Sequence, residues 1–133
     1  MAKRAAKKVS KNPEIEEKLD GVRSFMENWI VFFHSVKDAQ QKKDWVPTHE
    51  DEERFLKLKS HCARKHQILL DSLGDDYIQG ERITPLLRST VTLRNVKTFH
   101  DDFYRKVEKQ WHTVYIHLHE TRGQLRYKLD YES

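Results

Sequence analysis

Residues 14–43 read EIEEKLDGVRSFMENWIVFFHSVKDAQQKK, and their apolar side chains recur at alternating steps of four and three. A mean step of about 3.5 residues is the repeat of a helix that packs lengthwise against other helices. Phe25, Ile30 and Phe32 lie beside this row and make the apolar face wider than a two-stranded coiled coil uses. We therefore predict a helix with at least two helical neighbours. The row consists of Ile15, Leu19, Val22, Met26, Trp29, Phe33 and Val36.

Signals for the ends of helices divide the chain on either side of this row. Asn12 followed by Pro13 is a good N-cap and first helical residue, and Pro47 ends the segment because the residue before proline avoids the helical region. The first helix is predicted at about 13–43.

A second helix is predicted at 49–73. Thr48 with Asp51 three residues later resembles a capping box, and Gly74 is a typical residue to end the helix. The acidic run 50–53 has two interpretations, a cation site or a first helical turn, and the helix dipole favours the second.

The third helix is predicted at about 85–129, beginning at Thr84-Pro85. Two parts of it have an alternative. Residues 89–98 are rich in threonine and valine and would suit an extended segment, and residues 113–131 alternate in polarity around Gly123 as a β-hairpin would. We favour helix, because an isolated hairpin is marginal and no third strand is evident.

These segments predict an all-α fold, an elongated antiparallel three-helix bundle whose long C-terminal helix overhangs the other two. Residues 13–133 would form a single domain of this kind. In order and size the helices resemble a spectrin-type repeat in outline, with Trp29 midway along the first helix. That resemblance concerns topology alone.

The net charge of +4 comes from the first residues of the chain. Residues 1–12 are predicted to be a disordered basic arm, and the other 20 basic residues are balanced by 21 acidic ones. The arm could bind nucleic acid or simply aid solubility, whereas the body offers no strongly basic face. Its cations are Lys3, Arg4, Lys7, Lys8 and Lys11.

The sequence offers little for catalysis or metal binding. None of the eight histidines belongs to a Glu-x-x-His or His-Glu-x-x-His motif, and no glycine-rich phosphate loop occurs. The best acid–base cluster is His100 with Asp101, Asp102 and Tyr104, which we interpret as polar groups at the rim of the core. Cys62 is expected to be a buried thiol with a raised pKa. We predict no enzymatic activity, no cofactor and no metal.

The predicted function is therefore that of an interaction or scaffolding protein that self-associates or docks a protein partner through the third helix. The alternative is a nucleic-acid-associated accessory protein that uses the basic arm. No apolar run is long enough to span a bilayer, and a single cysteine suits a reducing compartment, so a cytoplasmic location is expected. The predicted partner interface comprises Trp111, Tyr115, Leu118, Leu125 and Tyr127.

Overall fold

Five α-helices and two short 3₁₀ turns account for most of the chain in a computed structural model, which describes residues 12–131. No strand occurs within this range, so the all-α prediction is confirmed. The 3₁₀ turns, Gly74–Asp76 and Gly80–Arg82, follow the second helix. The helices are α1 (Pro13–Gln41), α2 (His49–Leu73), α3 (Ile83–Ser89), α4 (Leu93–Lys97) and α5 (Asp101–Tyr131).

The helix α1 is the centre of the bundle, because α2 and α5 both pack along it. This is the arrangement that its wide apolar face predicts. The Phe25 ring packs at a tilt against Trp29 inside the core, and Phe32 stacks on Phe55 of α2 with ring centroids 5.4 Å apart. The side chains of α1 that are buried are Leu19, Val22, Phe25, Met26, Trp29, Phe32, Phe33, Val36 and Ala39.

The first two predicted helix starts carry the expected caps, whereas the third helix begins at Ile83 without a side-chain cap and not at Thr84-Pro85. The side chain of Asn12 accepts a hydrogen bond from the Ile15 amide at 3.2 Å. Thr48 and Asp51 form a reciprocal capping box, in which the Asp51 amide donates to the Thr48 hydroxyl at 3.1 Å and the Thr48 amide donates to the Asp51 carboxylate at 2.8 Å. These bonds from Thr48 hold the pKa of Asp51 below its usual value.

The third predicted helix is wrong over its first part, where the structure has α3, α4 and two breaks instead of one continuous helix. Threonine side chains at the breaks bond to the backbone and so replace helical hydrogen bonds. The Thr90 hydroxyl donates to the Leu86 carbonyl, and the Thr92 hydroxyl accepts from the Asn95 amide at 3.0 Å. Residues 89–98 are therefore neither one helix nor a strand. This also departs from the outline of a spectrin-type repeat.

The short helix α4 is held between the ends of two longer helices. Glu52 of α2 accepts hydrogen bonds from the Leu93 amide at 2.7 Å and the Arg94 amide at 3.2 Å. At the other end of α4, the Lys97 ammonium donates to the Lys42 carbonyl at 2.6 Å, beside the C-terminus of α1. The Glu52 carboxylate complements the positive N-terminal end of α4, and the Lys97 ammonium complements the negative C-terminal end of α1. Within the acidic run 50–53, Asp51 therefore takes part in the cap of α2, and Glu52 caps α4.

The helix α5 is continuous to Tyr131, which decides between the helix and hairpin alternatives in favour of helix. The part of α5 that was expected to overhang is covered on its inner side by α3 and by the loop after α2. In that loop Tyr77 is buried, and the Ile78 amide donates to the Thr121 hydroxyl at 3.2 Å. The loop therefore folds back on the bundle.

Candidate interaction surface

The predicted interface residue Trp111 lies in the core, stacked against Trp29 of α1. The two indole rings are nearly parallel, with centroids 6.3 Å apart. Each indole N–H donates to the backbone carbonyl of the other tryptophan, at 3.1 Å from Trp111 and 3.5 Å from Trp29. This reciprocal pair fixes the register of α1 against α5, so Trp111 is a structural residue.

Two further residues of the predicted interface, Leu118 and Leu125, are also buried within the chain's own core. Tyr115 is half-buried and stacks on Trp111 with ring centroids 5.3 Å apart. Tyr127, in contrast, is 59% exposed. The predicted interface is therefore corrected, because the face of α5 that carries its larger apolar residues is covered by α1, by α3 and by the loop that follows α2. A partner can reach Tyr127 but not the buried residues.

A second row of residues runs along the opposite side of α5. At about 100° per residue, Ile116, Gly123, Tyr127 and Tyr131 fall within about 80° of one another and face away from the buried residues. Ile116 is 59% exposed and Tyr131 is 75% exposed. The Tyr127 and Tyr131 rings contact each other with centroids 5.0 Å apart. We call these four residues the outer face of α5.

Gly123 has no role in packing inside the chain. A Cβ atom placed there would meet nothing within 4 Å. Glycine inside a helix costs about 1 kcal/mol relative to alanine, and no close contact in the fold accounts for that cost here. The residue leaves a gap in the outer face between Ile116 and Tyr127 where another chain can approach closely.

Charges are unevenly distributed along this side of α5. Arg105, Lys109 and His112 are exposed before Ile116, on the same side of the helix. Asp130 is exposed near the other end and forms an ion pair with Arg126 at 3.7 Å. Arg105 and Lys109 therefore place two cations toward one end of the outer face, where Asp102 is also exposed, and Asp130 places a carboxylate toward the other end.

An apolar cleft of about 380 Å³ lies where α1, α2 and α4 meet. Trp45, Leu58 and Val31 contribute to its walls, and Val31 is 53% exposed. Its rim carries both signs of charge in similar number, since Asp38 and Lys42 pair at 3.9 Å. Because the rim has no dominant charge, it does not indicate the chemistry of a ligand.

A buried His66–Tyr77 pair is the most unusual polar feature of the core. The His66 Nδ1 atom and the Tyr77 hydroxyl are 2.8 Å apart, and the His66 ring lies 6.2 Å from the Phe25 ring. The other ring nitrogen of His66 is buried without a hydrogen-bond partner among the described residues. Burial lowers the pKa of His66 and raises that of Tyr77. Its partner Tyr77 comes from the loop that follows α2, which local sequence spacing does not place.

The pair makes stability depend on pH with a defined sign. Because the folded-state pKa of His66 lies below the ordinary 6.5, the unfolded chain binds a proton more readily, and stability falls as the pH drops below about 6.5. The limiting slope for one proton is about 1.4 kcal/mol per pH unit. Urea unfolding between pH 7.5 and 5 measures it. His66→Gln should reduce the slope, and the exposed His61→Gln should retain it. An unchanged slope in His66→Gln would contradict the assignment.

The cluster that looked most suitable for acid–base chemistry is not assembled. His100, Asp101 and Asp102 are exposed at the start of α5, whereas Tyr104 is buried. Burial and the nearby Glu108 raise the pKa of Tyr104 to about 12. The hydroxyl of Tyr104 is therefore neutral at physiological pH and is separated from the exposed carboxylates by burial.

Cys62 is fully buried, and burial raises the pKa of its thiol to about 12, which confirms the sequence prediction. Between residues 12 and 131, no three His, Cys, Asp or Glu side chains are grouped so that they could hold a metal ion. None of the helices in this range is both long enough and apolar enough to cross a membrane. The predicted nucleic-acid arm, with Lys3, Arg4, Lys7, Lys8 and Lys11, lies outside the described residues.

No protein-family model, curated protein or solved structure matches this chain. Inferences about function therefore rest on the chain's own residues, and within residues 12–131 the outer face of α5 aligns three exposed apolar side chains on one side of a helix.

Proposed function

We propose that this protein is a non-enzymatic helical interaction or scaffolding protein that self-associates through the outer face of α5. The observation that supports this most is the row of exposed Ile116, Tyr127 and Tyr131 around the open space at Gly123. A row of exposed apolar residues along a helix typically marks an interface. The proposal keeps α5 as the interacting element and transfers the contact from its inner to its outer face.

The exposed residues also suit an interface by type. Tyrosine is enriched at the centres of interfaces, since it buries a large ring while its hydroxyl stays hydrated or bonded. Tyr127 and Tyr131 contact each other in the free chain, so part of their side-chain entropy is already lost before association.

We also propose a cytoplasmic location, because a free, buried cysteine suits a reducing compartment.

Sedimentation of the full chain and of Ile116→Ser/Tyr127→Ser tests the proposal. The wild-type mass should rise with concentration above the 16.0 kDa of one chain. The double variant should dissociate about a hundredfold more readily, because both copies lose two apolar contacts. Its monomer should unfold with a free energy within about 0.5 kcal/mol of wild type, because both side chains are exposed.

The matched control is Ile68→Ser, which removes an isoleucine that is 62% exposed on α2. This variant should associate as the wild type does. A wild-type mass of one chain at all concentrations would overturn the proposal, and so would an equal loss of association in Ile68→Ser.

A further inference from the structure

From the outer face of α5 we infer that its occupant is the same face of a second copy, running antiparallel, with Ile116 of each copy seated over Gly123 of the other. This rests on the proposed self-association and adds its orientation and register. Ile116 is the exposed aliphatic side chain of the row, and Gly123 is the position with open space above it. The two lie within about 20° of each other around the helix, so both point toward one partner.

A two-fold axis follows from this contact. When Ile116 of one helix lies level with Gly123 of an antiparallel second helix, the reverse contact is made at the same time by symmetry. The axis then passes between residues 119 and 120. His112 comes level with Tyr127, although its ring packs against Trp111 of its own chain with centroids 5.0 Å apart. A glycine at the contact lets the helices approach more closely than the usual 8–10 Å.

Charge selects the antiparallel orientation over the parallel one. In this register Lys109 of one copy comes level with Asp130 of the other, so opposite charges meet at both ends of the contact. Asp130 is paired with Arg126 within its own chain at 3.7 Å, a weak exposed pair that can be shared with Lys109. A parallel pairing would instead place Lys109 against Lys109 and Asp130 against Asp130. Like charges in such positions disfavour association.

Glu120 is the residue that this register must accommodate, because two copies of it approach each other near the two-fold axis. Its carboxylate lies 2.8 Å from the Nδ1 atom of His117, which is on the flank of α5 nearer to the core. The side chain is therefore drawn away from the middle of the outer face. The contact between Ile116 and Gly123 is left clear.

Crosslinking of cysteine variants tests orientation and register without altering Ile116 or Gly123. In Lys109→Cys/Asp130→Cys, a short bis-maleimide should join two copies in high yield. Either single variant should fail to crosslink, because equivalent positions are about 32 Å apart along antiparallel helices. Cys62 is fully buried, so the wild-type chain is the unreactive control.

Charge reversal gives a second and independent readout by sedimentation. Lys109→Glu should weaken association about fivefold, and Lys109→Glu/Asp130→Lys should restore it. Arg122→Glu makes the same charge change on another side of α5 and should have little effect. Failure of the double reversal to rescue association would overturn the register.

The outcomes separate this inference from the proposed function. Crosslinks in the Lys109→Cys single variant would show a parallel pair and overturn the antiparallel orientation, while leaving self-association intact. A third outcome would overturn the register alone. In it, Ile116→Ser/Tyr127→Ser loses association, but Lys109→Cys/Asp130→Cys forms no crosslink between copies. A monomer at all concentrations would overturn both.

Discussion

Replacing Trp111 with alanine should lower the free energy of unfolding by about 3–5 kcal/mol, the usual cost of removing a buried tryptophan. The ring is stacked between Trp29 and Phe33, with centroids 6.3 and 4.3 Å away, so its loss leaves a cavity between α1 and α5. It also removes the N–H that bonds to the Trp29 carbonyl at 3.1 Å. Urea unfolding followed by circular dichroism measures the change.

Trp111→Phe separates the ring from its N–H group. This variant keeps most of the stacking but loses the hydrogen bond, and it should cost about 1–2 kcal/mol. Trp29→Ala/Trp111→Ala should cost less than the sum of the two single variants, because each removes the contact with the other. Additive losses, or a loss below about 1 kcal/mol in Trp111→Ala, would show that the pair does not join α1 to α5.

The sequence predicted α1, α2 and the class of fold because the signals for these are local. The row from Ile15 to Val36 repeats regularly over about six helical turns, and the caps at Asn12 and Thr48 lie beside the helices that they start. Periodicity and capping depend on residues three or four apart, so both can be recognised without knowledge of the tertiary structure.

The division of the third helix could not be predicted in the same way. Its apolar residues Leu87 and Val96 keep steps compatible with a helix, and both are buried in the structure. The contacts that stop the helix include bonds from Glu52 to the amides of Leu93 and Arg94, which are distant in sequence. A local signal for the start of α4 did exist, since Thr92 three residues before Asn95 is a possible N-cap. Threonine also occurs inside helices, so its presence alone does not predict a break in the helix.

The interface prediction lay on the helix that the proposed function uses, but three of its five residues are on the buried face of that helix, for a physical reason. Trp111, Leu118 and Leu125 form the stronger apolar row of α5, and the strongest row is the one that a fold buries first. The outer face is a less continuous apolar row in the sequence, since a glycine and charged residues separate Ile116 from Tyr127. Only the placement of α1, α3 and the loop that follows α2 shows which row is left exposed.

Replacing Glu52 with alanine should lower the free energy of unfolding by about 2 kcal/mol, although much of its side chain is near solvent. Its two carboxylate oxygens bond to the Leu93 and Arg94 amides at 2.7 and 3.2 Å, so the change leaves two amides at the start of α4 without their acceptor. Native-state hydrogen exchange at these two amides should accelerate together with the loss in stability.

Glu53→Ala is the matched control, because Glu53 is the next residue of α2, carries the same charge near the same helix dipole and is exposed. Its carboxylate bonds to His49 within the same turn at 2.6 Å, a surface pair that contributes little. Its unfolding free energy should stay within about 0.5 kcal/mol of wild type, with slow exchange retained at Leu93. If both variants lose the same stability, the effect belongs to the dipole of α2, and Glu52 does not cap α4. Accelerated exchange confined to Glu52→Ala would instead establish that α2 determines where the predicted third helix is interrupted.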